Sequence, residues 1–256
     1  MRDHLRRVAA DTLEILGRGW YVNAAGDRVD LDPDLARAIL HRPGEPLDAP
    51  TRSGRTVVEV AEQSTLEAAA LLDEPCVLNF ASARKPGGGF MNGAQAQEES
   101  LARASSLYSS LIGAEPFYAF HRASPTLLYS DHMIYSPDVQ VFKDDRGALL
   151  ARPYRMAVIT AAAPNTRQLA GGQLVQVPGV LHDRGGRILA VAAHHGHRTL
   201  VLGAWGCGVF GNDPTVVAEA FRDQLDGPFR GVFERVVFAI LGERTCATFR
   251  RVLGMG

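Results

Sequence analysis

Five short runs of β-branched and apolar residues recur from Thr56 onward, and they constrain the fold more than any other feature of the chain. They are Thr56 to Val60, Val77 to Phe80, Met156 to Thr160, Thr199 to Leu202 and Val236 to Ile240. Their hydrophobicity is nearly continuous, which marks strands buried on both faces, so helices must cover a mostly parallel or mixed sheet from two sides. Helical patterns fall between the runs. Ser64-Thr65-Leu66-Glu67 carries a capping box, Asp213-Pro214 supplies an N-cap acid followed by an N1 proline, and further helices are expected over 97–111 and 186–195. The order is βα repeated, which predicts an α/β fold: a three-layer α/β/α sandwich with a mixed, largely parallel sheet. With 256 residues, 46% of them hydrophobic, the chain can fill one sizeable core and gives little ground for two.

Upstream of these runs, Leu5, Val8, Ala9, Thr12 and Ile15 recur at the i, i+3 and i+4 spacings of one helix face and predict an amphipathic helix over residues 3–16. A second short helix is expected at Asp34 to His41, with Asn23 to Gly26 and Arg42 to Arg55 as turns and a connecting loop. Residues 1–55 are therefore expected to form a small N-terminal helical extension packed on a main domain of residues 56–256. The segment Phe117 to Pro153, rich in aromatics and proline, reads as a loop-rich insertion, either functional or simply packed on the surface.

The formal net charge of −1 provides no global field toward nucleic acid or an anionic membrane, so any anionic ligand must be held locally and no direct DNA binding is expected. No apolar run approaches the roughly 20 residues that span a bilayer, and Met1 to Arg7 leads into no secretory apolar core, so the expectation is a cytoplasmic protein. Cys76, Cys207 and Cys246 are odd in number, far apart and without CxxC spacing. That argues against a disulfide frame or a zinc site and for small buried side chains.

Two strand-to-helix loops carry the chemistry. The first, Asn79 to Gly89, leaves a buried strand and ends in three consecutive glycines, which admit positive φ and close approach of a ligand to the main chain. After seven intervening residues, Gln97-Glu98-Glu99 opens a helix. Acids in a first helical turn commonly just complement the helix dipole; here their place after a strand, a glycine loop and the Asn92-Gly93 turn puts them where such folds bind ligands. The second loop, Gly203 to Pro214, runs from a buried strand into a capped helix, so its successive free N–H groups can form an anion nest suited to a diphosphate.

Gly206 to Gly211 also fits GxGxxG, which raises a nicotinamide or flavin dinucleotide fold as a rival. That reading wants an acid closing the next strand, whereas Glu234 precedes Val236 to Ile240, and the motif lies near the end of the chain. His194, His195 and His197 lack a nearby Cys or acid, and His182-Asp183 is in a separate loop, so no metal and no cofactor is expected. No GxSxG elbow and no Cys-His pair suggests acyl chemistry.

Gly87-Gly88-Gly89, seven residues, then Gln97-Glu98-Glu99, followed by Gly206-Cys207-Gly208-Val209-Phe210-Gly211, resembles the signature of poly(ADP-ribose) glycohydrolases of the bacterial type, whose fold is the macrodomain. The resemblance covers roughly residues 56–242. It implies that Glu99 is the catalytic glutamate, that Glu98 bonds ribose hydroxyls, and that Gly87, Gly88 and Gly89 admit the diphosphate and distal ribose. It further implies that Gly206, Cys207, Gly208 and Gly211 form the diphosphate loop, that Val209 and Phe210 pack over the ribose, and that Asn79, Ser82 and Gln97 belong to the site. Ser82 stands where many macrodomains carry Asn. Poly(ADP-ribose) or ADP-ribosylated proteins are then the partners and ADP-ribose the product. The alternatives are a hydrolase of single ADP-ribose units on proteins and a reader that binds without cutting. Tyr118, Phe120, Tyr129 and Tyr135 are the candidates for stacking adenine.

Overall fold

The computed structural model describes residues 1–34, 37–48 and 54–255. Helix α1 (Arg2–Arg18) buries Ala9, Thr12 and Ile15 and ends at Gly19 in a left-handed cap. It leads into a two-stranded antiparallel ribbon of β1 (Trp20–Val22) and β2 (Arg28–Asp30). Next comes β3 (Ile39–His41), an edge strand of the main sheet. The short helix expected at Asp34 to His41 is thus corrected over its last three residues. Three residues are too few to display a period, and pairing with a neighbouring strand decides their conformation. Residues 35 and 36 of that stretch, and 49–53 of the expected connecting loop, lie outside the described residues.

Then follow β4 (Val57–Ala61), α2 (Thr65–Ala70), β5 (Cys76–Phe80), α3 (Gln97–Ala104), α4 (Leu107–Gly113) and α5 (Glu115–Ala123). The chain continues with β6 (Met133–Lys143), β7 (Leu149–Ala161), α6 (Val177–His194), β8 (Thr199–Leu202), α7 (Pro214–Asp226), β9 (Arg235–Ala239) and α8 (Glu243–Val252). The seven-stranded sheet has the order β3-β6-β7-β5-β8-β9-β4. β4, β9, β8, β5 and β7 pair in parallel, while β6 is antiparallel to both β7 and β3.

Alternate residues of the strands face opposite layers. Leu78, Ile159, Leu202 and Phe238 pack with α6, α7 and α8, whereas Val77, Val158, Val201 and Val237 pack with α2 to α5. β5, β8, β9 and the second half of β7 are buried on both sides, as their continuous apolar sequence demands, whereas β4 at the sheet edge is only half-buried; the architecture is a three-layer α/β/α sandwich. The capping box at Ser64 forms, and the Asp213 side chain accepts the Thr215 N–H. Among the described residues, no helix is long and apolar enough to cross a membrane.

The segment Phe117 to Pro153 is not mainly loop. Most of it is the end of α5, the 11-residue β6 and the start of β7, and the bulge at Pro137 and Asp138 (φ 54°) is what disguises β6 in the sequence. The helix expected over 97–111 breaks at Ser105, which bridges to Val141 of β6 while its hydroxyl donates to Leu101 O. The later helix is longer than expected, beginning at Val177.

Candidate active site

The carboxyl ends of β5, β8 and β9 and the first turn of α3 open on one cavity of about 1200 Å3. That exceeds the roughly 300–1,000 Å3 of an ordinary small-molecule pocket, so it fits an elongated ligand. Ser82, Lys85, Gly88 and Gly89 line it from the loop after β5, and Gly206, Gly208, Val209 and Phe210 from the loop after β8. Glu98 and Glu99 face it from α3.

Gln97 fixes the helix that carries these acids. Its Oε1 accepts the Phe80 N–H at 2.9 Å, and its Nε2 donates to Leu78 O at 2.8 Å and Thr65 Oγ1 at 3.2 Å, which ties the first residue of α3 to β5 and α2. Gln97 lines the cavity, but its polar atoms are spent on the scaffold.

Glu98 is 3% exposed. Its Oε2 accepts the Ser82 N–H at 2.7 Å and its Oε1 accepts Asn79 Nδ2 at 3.3 Å, while Asn79 Nδ2 also reaches Thr160 Oγ1 at 3.1 Å. Burial pushes the Glu98 carboxyl up to about 8, with the neighbouring Glu99 charge acting the same way and the donors opposing. Glu99 is half-buried, its Oε1 accepting the Gly89 N–H at 2.9 Å. Among the described residues no donor sits on its Oε2, so one carboxyl oxygen is free for chemistry.

A glycine at position 88 is what allows this. Gly88 has φ 58°, and a Cβ there would collide with Glu99 Oε1 and lie 3.0 Å from Glu99 Cδ and 3.1 Å from Glu98 Oε2. The backbone thus packs directly against both acids.

The second loop is held by Asn212, 3% exposed, whose Nδ2 donates to Pro164 O at 2.8 Å and Gly206 O at 3.1 Å. Phe210 O accepts Thr166 Oγ1 at 2.7 Å and the Arg167 N–H at 3.2 Å. Among the described residues the N–H groups of Gly208, Val209 and Phe210 meet no acceptor in the chain. Three successive unspent donors beside the start of α7 form the kind of main-chain concavity that binds anions.

Of the residues singled out from sequence, Asn79 is fully buried beneath Glu98 and does not line the cavity, and neither do Gly87, Cys207 or Gly211. Gly211 packs under Arg167 instead. Sequence reading missed Arg167 and Lys85, the basic side chains of the lining, along with Phe80, Ile240 and Leu241. A single Arg in a loop after β7 gives no local signal. None of Tyr118, Phe120, Tyr129 and Tyr135 lines the cavity: Tyr118 and Tyr135 are buried in the core, and Tyr129 backs Phe210 with ring centroids 5.9 Å apart. His195 stacks on Tyr135 and meets His41 Nε2 at 2.9 Å. Among the described residues no group of three or more His, Cys, Asp or Glu side chains is arranged to hold a metal.

The raised Glu98 carboxyl has a consequence for stability. Its folded value lies above the ordinary one, so its contribution is complete below about pH 4.5 and is lost as pH rises toward about 8. Gln is isosteric with the protonated acid. The thermal midpoint of Glu98→Gln minus that of the wild type is therefore expected to widen from pH 5 to pH 8.5; a difference that does not change with pH contradicts the buried, protonated Glu98.

A family model described as the catalytic domain of microbial-type PARG matches residues 9–144. The chain is similar to the poly(ADP-ribose) glycohydrolase of Thermomonospora curvata, with 47% identity and a TM-score of 0.91 over 98% of this chain and 100% of that one. A structure of that enzyme bound to the inhibitor ADP-HPD gives 46% identity and a TM-score of 0.89, covering 98% and 99% of the two chains. The poly(ADP-ribose) glycohydrolase of Deinococcus radiodurans in complex with ADP-ribose is 48% identical, with a TM-score of 0.75 over 79% of this chain and 85% of that one. Among curated proteins none matches.

Proposed function

Because the chain belongs to the microbial-type poly(ADP-ribose) glycohydrolase family, we propose that it hydrolyses the ribosyl O-glycosidic bonds of poly(ADP-ribose), releasing ADP-ribose, with Glu99 as general acid and base. The observation that carries the assignment to Glu99 is its free Oε2 beside a glycine backbone, at the edge of a cavity with an anion nest on the opposite wall. The diphosphate rests on the N–H groups of Gly208 to Phe210, and the distal ribose then lies between Phe210 and the α3 acids. Free thiols at Cys76, Cys207 and Cys246 support action in the cytoplasm.

Cleavage breaks the bond between the anomeric carbon and the departing oxygen through an oxocarbenium-like state. Glu99 gives its proton to the departing oxygen; its carboxylate then takes a proton from the water that attacks the anomeric carbon, which restores the acid. Glu98 and Glu99 are adjacent in α3, about 100° apart around its axis, so they cannot flank one bond as a glycosidase pair does. One acid serves twice. Glu98, buried against Ser82 and Asn79, is suited to hold ribose hydroxyls in a fixed orientation.

Incubation with poly(ADP-ribose) and, separately, with mono-ADP-ribosylated protein tests the reading. Free ADP-ribose from the polymer is the expected result. Release from the protein conjugate alone, or binding without release, replaces it with one of the two alternatives. Arg167→Ala is expected to weaken ADP-ribose binding about tenfold by removing a cationic donor from the diphosphate wall. Calorimetric titration at two salt concentrations checks this; unchanged affinity removes Arg167 from the site.

A further inference from the structure

We infer that Arg103 is a positioning residue for Glu99, holding the reacting carboxyl through a closed circuit of hydrogen bonds that the N-terminal helix clasps from outside. The inference rests on the catalytic reading of Glu99 given above.

Arg103 lies four residues after Glu99, on the same side of α3. It is 6% exposed, and among the described residues no carboxylate lies within ion-pair distance of it. A cation is rarely buried so completely without a paired acid. Its guanidinium is instead committed to neutral acceptors, with Nη1 donating to the Ala94 carbonyl at 2.6 Å and Nη2 reaching the Ser100 hydroxyl Oγ at 3.4 Å. The Ala94 N–H donates to Gly89 O at 3.2 Å. The Gly89 N–H donates to Glu99 Oε1 at 2.9 Å, and Glu99 returns through one helical turn to Arg103. Each bond fixes the next. Without the guanidinium, the segment carrying Ala94 is untied from the helix, and the donor on Glu99 Oε1 loses its own support.

Helix α1 holds this circuit at two points. Thr12 Oγ1 donates to the Arg103 carbonyl at 2.5 Å and is itself steadied by the buried Lys143 Nζ at 2.7 Å, which also pairs with Asp11 at 2.7 Å. Arg2 Nε and Arg6 Nε both donate to Asn92 O, at 3.2 and 3.3 Å, in the turn between Gly89 and Ala94. Lys143 ends β6, so the sheet, the N-terminal helix and the catalytic helix meet at Arg103. The extension is on this reading part of the catalytic apparatus and not a covering layer.

The test is a double-mutant cycle on poly(ADP-ribose) turnover with wild type, Arg103→Met, Glu99→Gln and the double variant, together with ADP-ribose affinities. Arg103→Met is expected to lower kcat about 10- to 100-fold, the scale of an ångström-sized misplacement, with KM and ADP-ribose affinity little changed. In the Glu99→Gln background the same substitution is expected to have no further effect, because the carboxyl it positions is gone. Arg103→Lys, which keeps the charge and one donor to Ala94 O, is expected to recover part of the loss and is the readout if Arg103→Met does not fold. A kcat unchanged in Arg103→Met, or in Arg103→Lys where that variant is the readout, overturns the proposal. So does an equal loss in both backgrounds, which marks a general structural effect. If Glu99→Gln itself turns over normally, the catalytic reading falls first, and that outcome is visible in the same data.

Discussion

Glu99→Gln lowers poly(ADP-ribose) turnover at least about 100-fold, the range of general acid–base catalysis, while ADP-ribose still binds. The substitution preserves volume and leaves an amide oxygen to accept the Gly89 N–H, so the first turn of α3 and the glycine loop keep their geometry. It removes only the proton that the departing oxygen needs and the base that the water needs. The neighbouring acid is poorly placed to take over: Glu98 is turned about 100° around the helix and occupied by Ser82 and Asn79. Loss in kcat with little change in affinity is therefore expected, and single-turnover kinetics with calorimetric binding separate the two. Near-normal turnover assigns the chemistry to another group.

Gly88→Ala has an expected effect of similar size by a different route. The new methyl collides with Glu99 Oε1 and crowds Glu98, and the backbone must hold φ near 58°, which a residue with a Cβ resists at about 1–3 kcal/mol. Either the glycine loop moves or the carboxyl does. A shift of about 1 Å at the reacting group costs on the order of 100-fold in rate, so kcat is expected to fall by that factor with a lowered thermal midpoint. Gly172→Ala is the control: it lies in open space, without positive φ, and should leave both quantities unchanged. Gly88→Ala with wild-type turnover shows that Glu99 does not work from its observed position.

The sheet and both loops were legible because strands buried on two faces have no polar side to hide them and because glycine clusters mark close backbone approach. β6 was not, since Pro137 and Asp138 interrupt its apolar pattern and Gln140 and Lys143 are buried polar residues at its end. Helix 97–111 read as continuous because Leu101, Ala104, Tyr108 and Leu111 keep a helical period across the break; only the contact of Ser105 with Val141 of β6 reveals it. At the site, adjacency in sequence exposed Glu98 and Glu99 but not their supports. Gln97 lines the cavity and also stitches α3 to β5, while Arg167 joins the lining from a distant segment and carries no motif. Tertiary contacts between distant segments assign those roles.

The most direct measurement is a crystal structure of the wild-type protein with ADP-ribose in the cavity. The distal ribose is expected with its anomeric hydroxyl oxygen about 2.6–3.2 Å from a Glu99 carboxyl oxygen, the hydrogen-bond reach of a general acid and base, and with diphosphate oxygens on the Gly208 to Phe210 amides. A ribose seated at the far end of the cavity, or turned so that Glu99 faces its 5′ side, contradicts the account.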